Sequence, residues 1–188
     1  SEPSPDYNGL TFAETFGDLA FTLYSHAVSL RDLGCTQSPM NAWITLNGVE
    51  TLPLRMERHV ENAQKVAGFL QQHPSVEWVS YAGLSSSPYY QLAQKYLQGK
   101  AGSIFTFGIR GGYESGLRLL EKVELFSHVS NIGDSRSLIL HPASTTHRQL
   151  SDEQRLTAGA GPEVIRLSVG IESAEDLIAD LEQALEGL

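Results

Sequence analysis

The sequence predicts an α/β protein, a small sheet covered by helices, preceded by a helical segment with an organisation of its own. Three observations carry this. Runs that read as short strands recur at 76–81, 103–110, 125–129, 137–140 and 164–170. Apolar residues fall at helical spacing over 12–30, 56–70 and 177–185. The pattern changes from purely helical to alternating strands and helices after His73-Pro74. The expected divisions are therefore 1–50, a linking helix over 51–73, and an α/β part over 74–188.

Residues 1–9 are rich in Pro, Ser and Gly and are expected to be an extended loop. From Phe12 to Leu33, Phe12, Phe16, Leu19, Leu23, Ala27 and Leu30 form a stripe that predicts one helix, closed by Gly34. Ser38-Pro39 restarts a helix, with serine as cap and proline in its first turn. Pro53 would break a helix interior, so a further start is placed at Thr51. Met56, Val60, Ala63, Ala67 and Leu70 give that helix one apolar face, with Glu57, Glu61, Arg58 and Lys65 on the other.

The first strand is Val76 to Tyr81, followed by a loop and a short helix over Tyr89–Gln98. Ser103 to Arg110 is a strong strand with Phe105, Phe107 and Ile109 on one face. Gly111-Gly112 turns the chain into a helix over 113–122. Two short strands flank the turn Val129-Ser130-Asn131-Ile132-Gly133-Asp134. Ser151-Asp152-Glu153-Gln154 is a capping box. In Val164 to Gly170, Ile165, Leu167 and Val169 face one way, and Val164, Arg166 and Ser168 the other. Ser173 caps a last helix whose core face is Leu177, Ile178, Leu181, Ala184 and Leu185.

Composition excludes several functions. The net charge of −9 argues against a nucleic-acid partner, which needs clustered Lys and Arg. No apolar run is long enough to span a bilayer. One cysteine, Cys35, excludes an internal disulfide and fits a reducing cytoplasm. The chain opens Ser-Glu-Pro-Ser-Pro and reads as a segment of something longer.

Ordered motifs add a resemblance. Asn131-Ile132-Gly133-Asp134, Ser137-Leu138, His141-Pro142-Ala143-Ser144-Thr145-Thr146-His147 and Arg166-Leu167-Ser168-Val169-Gly170-Ile171-Glu172 resemble the C-terminal signature of the Cys/Met-metabolism family of pyridoxal-phosphate enzymes. Tyr7-Asn8-Gly9-Leu10, Arg31-Asp32-Leu33-Gly34, Ser38-Pro39, Arg55-Met56-Glu57-Arg58-His59 and Ser87-Pro88-Tyr89-Tyr90 extend the likeness over nearly the whole chain. Asparagine at 131, where the cystathionine synthases and lyases usually carry serine, makes it most similar to the O-acetylhomoserine sulfhydrylases.

The resemblance implies the C-terminal domain of a fold-type I pyridoxal-phosphate transferase, with residues 1–50 as the tail of the large cofactor domain. It implies conversion of O-acetyl-L-homoserine and sulfide to homocysteine and acetate by the complete enzyme, a cytoplasmic homotetramer in methionine biosynthesis. The neighbouring alternatives are a cystathionine γ-synthase or γ-lyase, or a non-catalytic interaction module retaining the fold. Arg166 then binds the α-carboxylate of the amino-acid substrate, Asn131 bonds the same group, and Ser130 touches its distal part. The residues read alone leave Arg166 either an anion-binding fork or a solvent-facing edge residue.

No lysine has the setting a Schiff base needs. Lys65, Lys95, Lys100 and Lys122 all lie in ordinary surface patterning, so the cofactor is expected to be bound mainly by a portion N-terminal to this chain. Gly111-Gly112 could seat an anion but reads more simply as a turn. His141 and His147 lack a metal-ligand spacing, and Cys35 lacks a histidine signature, so neither metal nor thiol chemistry is expected. Ser144, Thr145 and Thr146 read as loop-capping hydroxyls.

Overall fold

The computed structural model describes residues 2–188. The chain divides into two compact units, Ser1–Glu50 and Thr51–Leu188.

In the first unit, the helix expected over 12–33 is interrupted. α1 (Phe12–Phe16) ends at Gly17, whose φ of 50° and ψ of −123° no helical residue adopts. A 3₁₀ turn over Gly17–Leu19 follows, then α2 (Ala20–Tyr24), a π turn over Ser25–Leu30, and α3 (Arg31–Leu33) closing at Gly34. The single long helix is therefore corrected: apolar spacing continues through Gly17, but the backbone does not. α4 (Pro39–Glu50) starts as expected, with the Asn41 amide donating to the Ser38 hydroxyl at 3.2 Å. The opening segment is tied by a bridge between Ser4 and Leu10 and by the Tyr7 hydroxyl donating to the Ala27 carbonyl.

Among the described residues of this unit, Phe12 is the one large apolar side chain that is buried. Its ring meets those of Tyr7 and Tyr24 edge-on. Leu19, Phe21, Leu33, Met40, Trp43, Ile44, Leu46 and Val49 are all exposed, and α4 buries nothing. A 370 Å³ apolar depression lies between Leu10, Phe12, Phe16 and Leu23.

The second unit begins with α5 (Leu52–Gln72), the longest helix. Then come β1 (Val76–Ser80), α6 (Tyr90–Leu97), β2 (Ile104–Ile109), α7 (Gly112–Lys122), β3 (Ser127–His128), β4 (Leu138–Leu140), α8 (Asp152–Thr157), β5 (Val164–Ser168) and α9 (Ala174–Leu185). The strands form one mixed sheet in the order β1-β2-β5-β4-β3, antiparallel except for the parallel pair β3–β4. β3 is shorter than the run at 125–129 suggested: Asp180 takes the amides of Glu124, Leu125 and Phe126 on one side, and the Val129 amide turns back to the Ser127 carbonyl on the other.

One sheet face is packed under helices. Phe105, Phe107 and Ile109 from β2, Ile139 from β4, and Ile165 and Leu167 from β5 join Ala63, Val66, Ala67 and Leu70 of α5, Leu119 of α7, and Leu177, Leu181, Ala184 and Leu185 of α9 in a single core. These are the faces that period two and period 3.6 assigned. Ile178, expected in that core, is only partly buried and packs at its margin. Both halves of the capping box at Ser151 and Gln154 are formed, and Ser173 caps α9 by accepting from the Asp176 amide.

Candidate functional site

Arg166 lies at the middle of β5, on the sheet face turned away from the helices. Register places Thr106 of β2 on one side of it and Leu140 of β4 on the other. Leu140 is 3% exposed, so the base of the arginine stem is walled by apolar surface; the residue as a whole is half-buried, and its guanidinium bonds in an exposed setting. Its neighbours Ile165 and Leu167 are fully buried on the opposite face. They hold the strand, and with it the direction of the guanidinium.

The turn between β3 and β4 comes to this head. Arg166 donates from Nη2 to the Asn131 carbonyl at 3.3 Å, and the Gly133 amide donates to the Ser168 hydroxyl at 3.3 Å. Ser130 and Asn131 are exposed. Thus the structure brings Arg166 and Asn131 together, with Ser130 one residue further along the same turn.

No carboxylate pairs with Arg166 among the described residues. Asp134, in the same turn, is taken by Arg136. It accepts from the Arg136 amide at 3.0 Å and lies 3.5 Å from its guanidinium. The Arg136 amide is the main cause, and the side-chain bond the next, of an Asp134 carboxyl held below its ordinary range. A fork with one backbone acceptor and no acid partner has N–H groups left for an incoming anion.

Two polar residues that periodicity alone did not mark hold the segment just past the C-terminal end of β5. His59 and Asn62, on the buried face of α5, are 1% and 0% exposed. His59 Nδ1 is 2.6 Å from the Val169 carbonyl. Asn62 donates to the carbonyls of Gly170 and Glu172 at 3.1 and 2.8 Å. Their signal in the sequence was a polar pair at i,i+3 within an apolar helical stripe.

The remaining candidates resolve as structural. His141 is fully buried; its Nε2–H donates to the Pro162 carbonyl and its Nδ1 meets the Ser144 hydroxyl, each at 2.9 Å. Burial pushes its pKa down. Thr145 donates to the His141 carbonyl at 2.8 Å, and Thr146 meets His147 Nδ1, so the hydroxyls cap the loop. Gly111 and Gly112 form the turn into α7. Cys35 is exposed in a loop. Among the described residues, no group of three His, Cys, Asp or Glu side chains could hold a metal, and no helix is long and apolar enough to cross a membrane. All four lysines are exposed: Lys65 pairs with Glu61, Lys100 with Glu57, and Lys122 donates to the Glu186 carbonyl. None offers a Schiff-base position, so these residues do not fit a covalently held pyridoxal phosphate.

The sequence profile of the Cys/Met metabolism PLP-dependent enzymes matches residues 10–186. This chain belongs to that family. O-acetyl-L-homoserine sulfhydrylase 1 of Thermus thermophilus is 50% identical over 185 residues, covering 98% of this chain and 44% of the relative. The O-acetyl-L-homoserine sulfhydrylase of Leptospira meyeri is 50% identical over an alignment covering 100% of this chain and 45% of its own length. A solved structure from Campylobacter jejuni, assigned as an O-acetylhomoserine (thiol)-lyase and carrying a pyridoxyl-lysine phosphate, superposes with a TM-score of 0.89 at 44% identity. It matches 100% of this chain and 44% of its own. The chain thus spans less than half the length of these relatives, and the pyridoxyl-lysine lies outside the matched stretch.

Proposed function

We propose that this chain forms the substrate-carboxylate end of the active site of a pyridoxal-phosphate-dependent O-acetyl-L-homoserine sulfhydrylase. The observation that carries the reading is the Arg166 fork. It is carried by a half-buried residue of the central strand, has no acid partner among the described residues, and bonds the turn that holds Asn131. Family membership and the names of the 50%-identical relatives supply the substrate class.

On this reading Arg166 takes the α-carboxylate of O-acetylhomoserine in two parallel hydrogen bonds. The Asn131 side-chain amide donates a further bond to the same group, and Ser130 borders the distal part of the substrate. The complete enzyme replaces acetate with sulfide, giving homocysteine. The cofactor supplies the electron sink at Cα and is held by the rest of the enzyme. What Arg166 contributes is orientation, fixing Cα and its hydrogen relative to that group. Residues 1–50 then belong to the larger cofactor-holding domain, 51–73 link it to the small domain of 74–188, and the enzyme is a cytoplasmic homotetramer.

Steady-state kinetics of the complete enzyme with O-acetylhomoserine and sulfide tests this. Homocysteine formation that collapses in Arg166→Ala at full cofactor occupancy supports the reading. Undiminished turnover in that variant removes Arg166 from the site.

A further inference from the structure

Glu172 sits four residues past the end of β5 and does not reach Arg166, yet it ties down the turn that does. Its Oε1 accepts from the Ser137 amide at 2.7 Å and its Oε2 from the Ser137 hydroxyl at 2.9 Å. The same hydroxyl accepts from the Gly170 amide at 2.7 Å. The Ile171 amide donates to the Ser135 carbonyl at 2.9 Å. The segment 170–172 is thus sewn to residues 135–137, the C-terminal stem of the Asn131 turn.

This seam requires close approach. A Cβ on Gly170 would run into the Ser135 carbonyl, the Arg136 backbone and the Glu172 carboxylate. On its other side the segment is held by α5, through His59 on Val169 and Asn62 on Gly170 and Glu172. Ser137 and Asn62 are completely buried, so the bonds from Gly170 to Ser137 and from Asn62 to Gly170 are shielded from water, and those to Glu172 partly so. By contrast, the far end of the turn is exposed and is fixed to β5 by two 3.3 Å bonds, from Arg166 and to Ser168. The firm anchorage of the turn therefore lies at Ser137, and Asn131 is placed from there.

We propose that Glu172 is a positioning residue: through Ser137 it holds the Asn131 turn beside Arg166, and so sets the geometry in which the two grip one carboxylate. This rests on the carboxylate-binding reading above. It predicts that loosening the seam weakens substrate binding more than it slows turnover, because the arginine and the reacting centre are untouched.

The test uses the complete enzyme with Glu172→Ala, Glu172→Gln and Ser137→Ala, and Arg166→Ala alongside. Glu172→Ala and Ser137→Ala are expected to raise KM for O-acetylhomoserine about fivefold or more with kcat within about twofold. Cofactor absorbance stays unchanged. Amide exchange at Ile132, Gly133, Ser135 and Arg136 accelerates in both. Glu172→Gln, which keeps a carbonyl acceptor for the Ser137 amide, restores both readouts in part. A merely structural glutamate gives another pattern: a lower Tm with KM and turn exchange at wild-type values in the folded protein, which overturns the proposal. If Glu172→Ala does not fold, Ser137→Ala decides by the same two readouts. Arg166→Ala separates the two ideas. If it abolishes substrate binding while the seam variants bind normally, only the role of Glu172 falls. If Arg166→Ala binds normally, the carboxylate reading falls and takes this one with it.

Discussion

The Arg166 guanidinium donates to the Asn131 main-chain oxygen at 3.3 Å, joining residues 35 apart in the chain. A strand built for the core thereby presents its one cation to an exposed turn. If that cation holds the substrate carboxylate, Arg166→Ala lowers kcat/KM by about 2–5 kcal/mol, the scale for truncating one member of a desolvated charged pair. Arg166→Lys recovers only part, since a point charge cannot reproduce a planar fork. Steady-state kinetics at checked cofactor occupancy measures both. Values near wild type for both variants would make Arg166 a solvated surface charge.

Asp180 carries a second long-range contact. It is 7% exposed on the apolar face of α9, and its carboxylate accepts from three successive amides, Glu124, Leu125 and Phe126, at 2.8, 2.9 and 3.1 Å. Asp180→Ala strands these donors and is expected to cost about 3 kcal/mol in urea unfolding. Gln183→Ala removes an exposed amide that donates to the Lys122 carbonyl at 2.8 Å and to Asp180 Oδ1 at 3.1 Å but leaves the three main-chain donors paired, and is expected to cost less than about 1.5 kcal/mol. Equal effects of the two would show that the amides find other partners.

His141 gives stability a pH dependence of known sign. Burial lowers its pKa from 6.5, with the nearby His128 adding to the shift and the bond to Pro162 opposing it. The unfolded chain therefore takes up this proton first as pH falls. The stabilisation is complete above about pH 6.5, is lost as pH drops through that value, and levels off below the folded pKa. The slope of unfolding free energy between pH 6.5 and 5 should be smaller in His141→Gln than in wild type. Identical slopes would show that the buried ring protonates freely.

The first unit shows exposed Phe21, Met40, Trp43, Ile44 and Leu46. Apolar surface of that extent invites association. The 188-residue chain alone is therefore expected to form oligomers or to bind a complementary fragment. Size-exclusion chromatography with light scattering checks this. A monodisperse monomer with amide protection throughout residues 12–33 would show that the unit is self-sufficient.

The four exposed lysines lead to a chemical prediction. Borohydride reduction of the isolated chain with pyridoxal phosphate should leave no lysine stoichiometrically labelled, since all four are solvent-exposed and the bond to Glu61 holds the Lys65 ammonium above its ordinary pKa. Peptide mapping reads this directly. Full labelling at one position would place a cofactor site within the chain.

The sequence by itself determined the α/β class, the inward faces of β2 and β5, and the caps at Ser38, Ser151 and Ser173. Side-chain period and capping chemistry act between residues a few positions apart, so the local string contains the whole cause. Motif order likewise pointed to the family, and singled out Arg166 and Asn131 before their contact was known. The break at Gly17 was local too, but an apolar stripe continuing across a glycine hid it. Only the tertiary structure decided the strand order β1-β2-β5-β4-β3 and the parallel pairing of β3 with β4. It alone showed what His59, Asn62, Ser137, Glu172 and Asp180 do. A polar group on a buried face takes whatever partner the fold packs against it. Here those partners lie 110 residues from His59, 33 from Ser137 to Gly170, and 54 to 56 from Asp180. No periodicity extends so far, because such bonds are chosen by packing, after the elements themselves have formed.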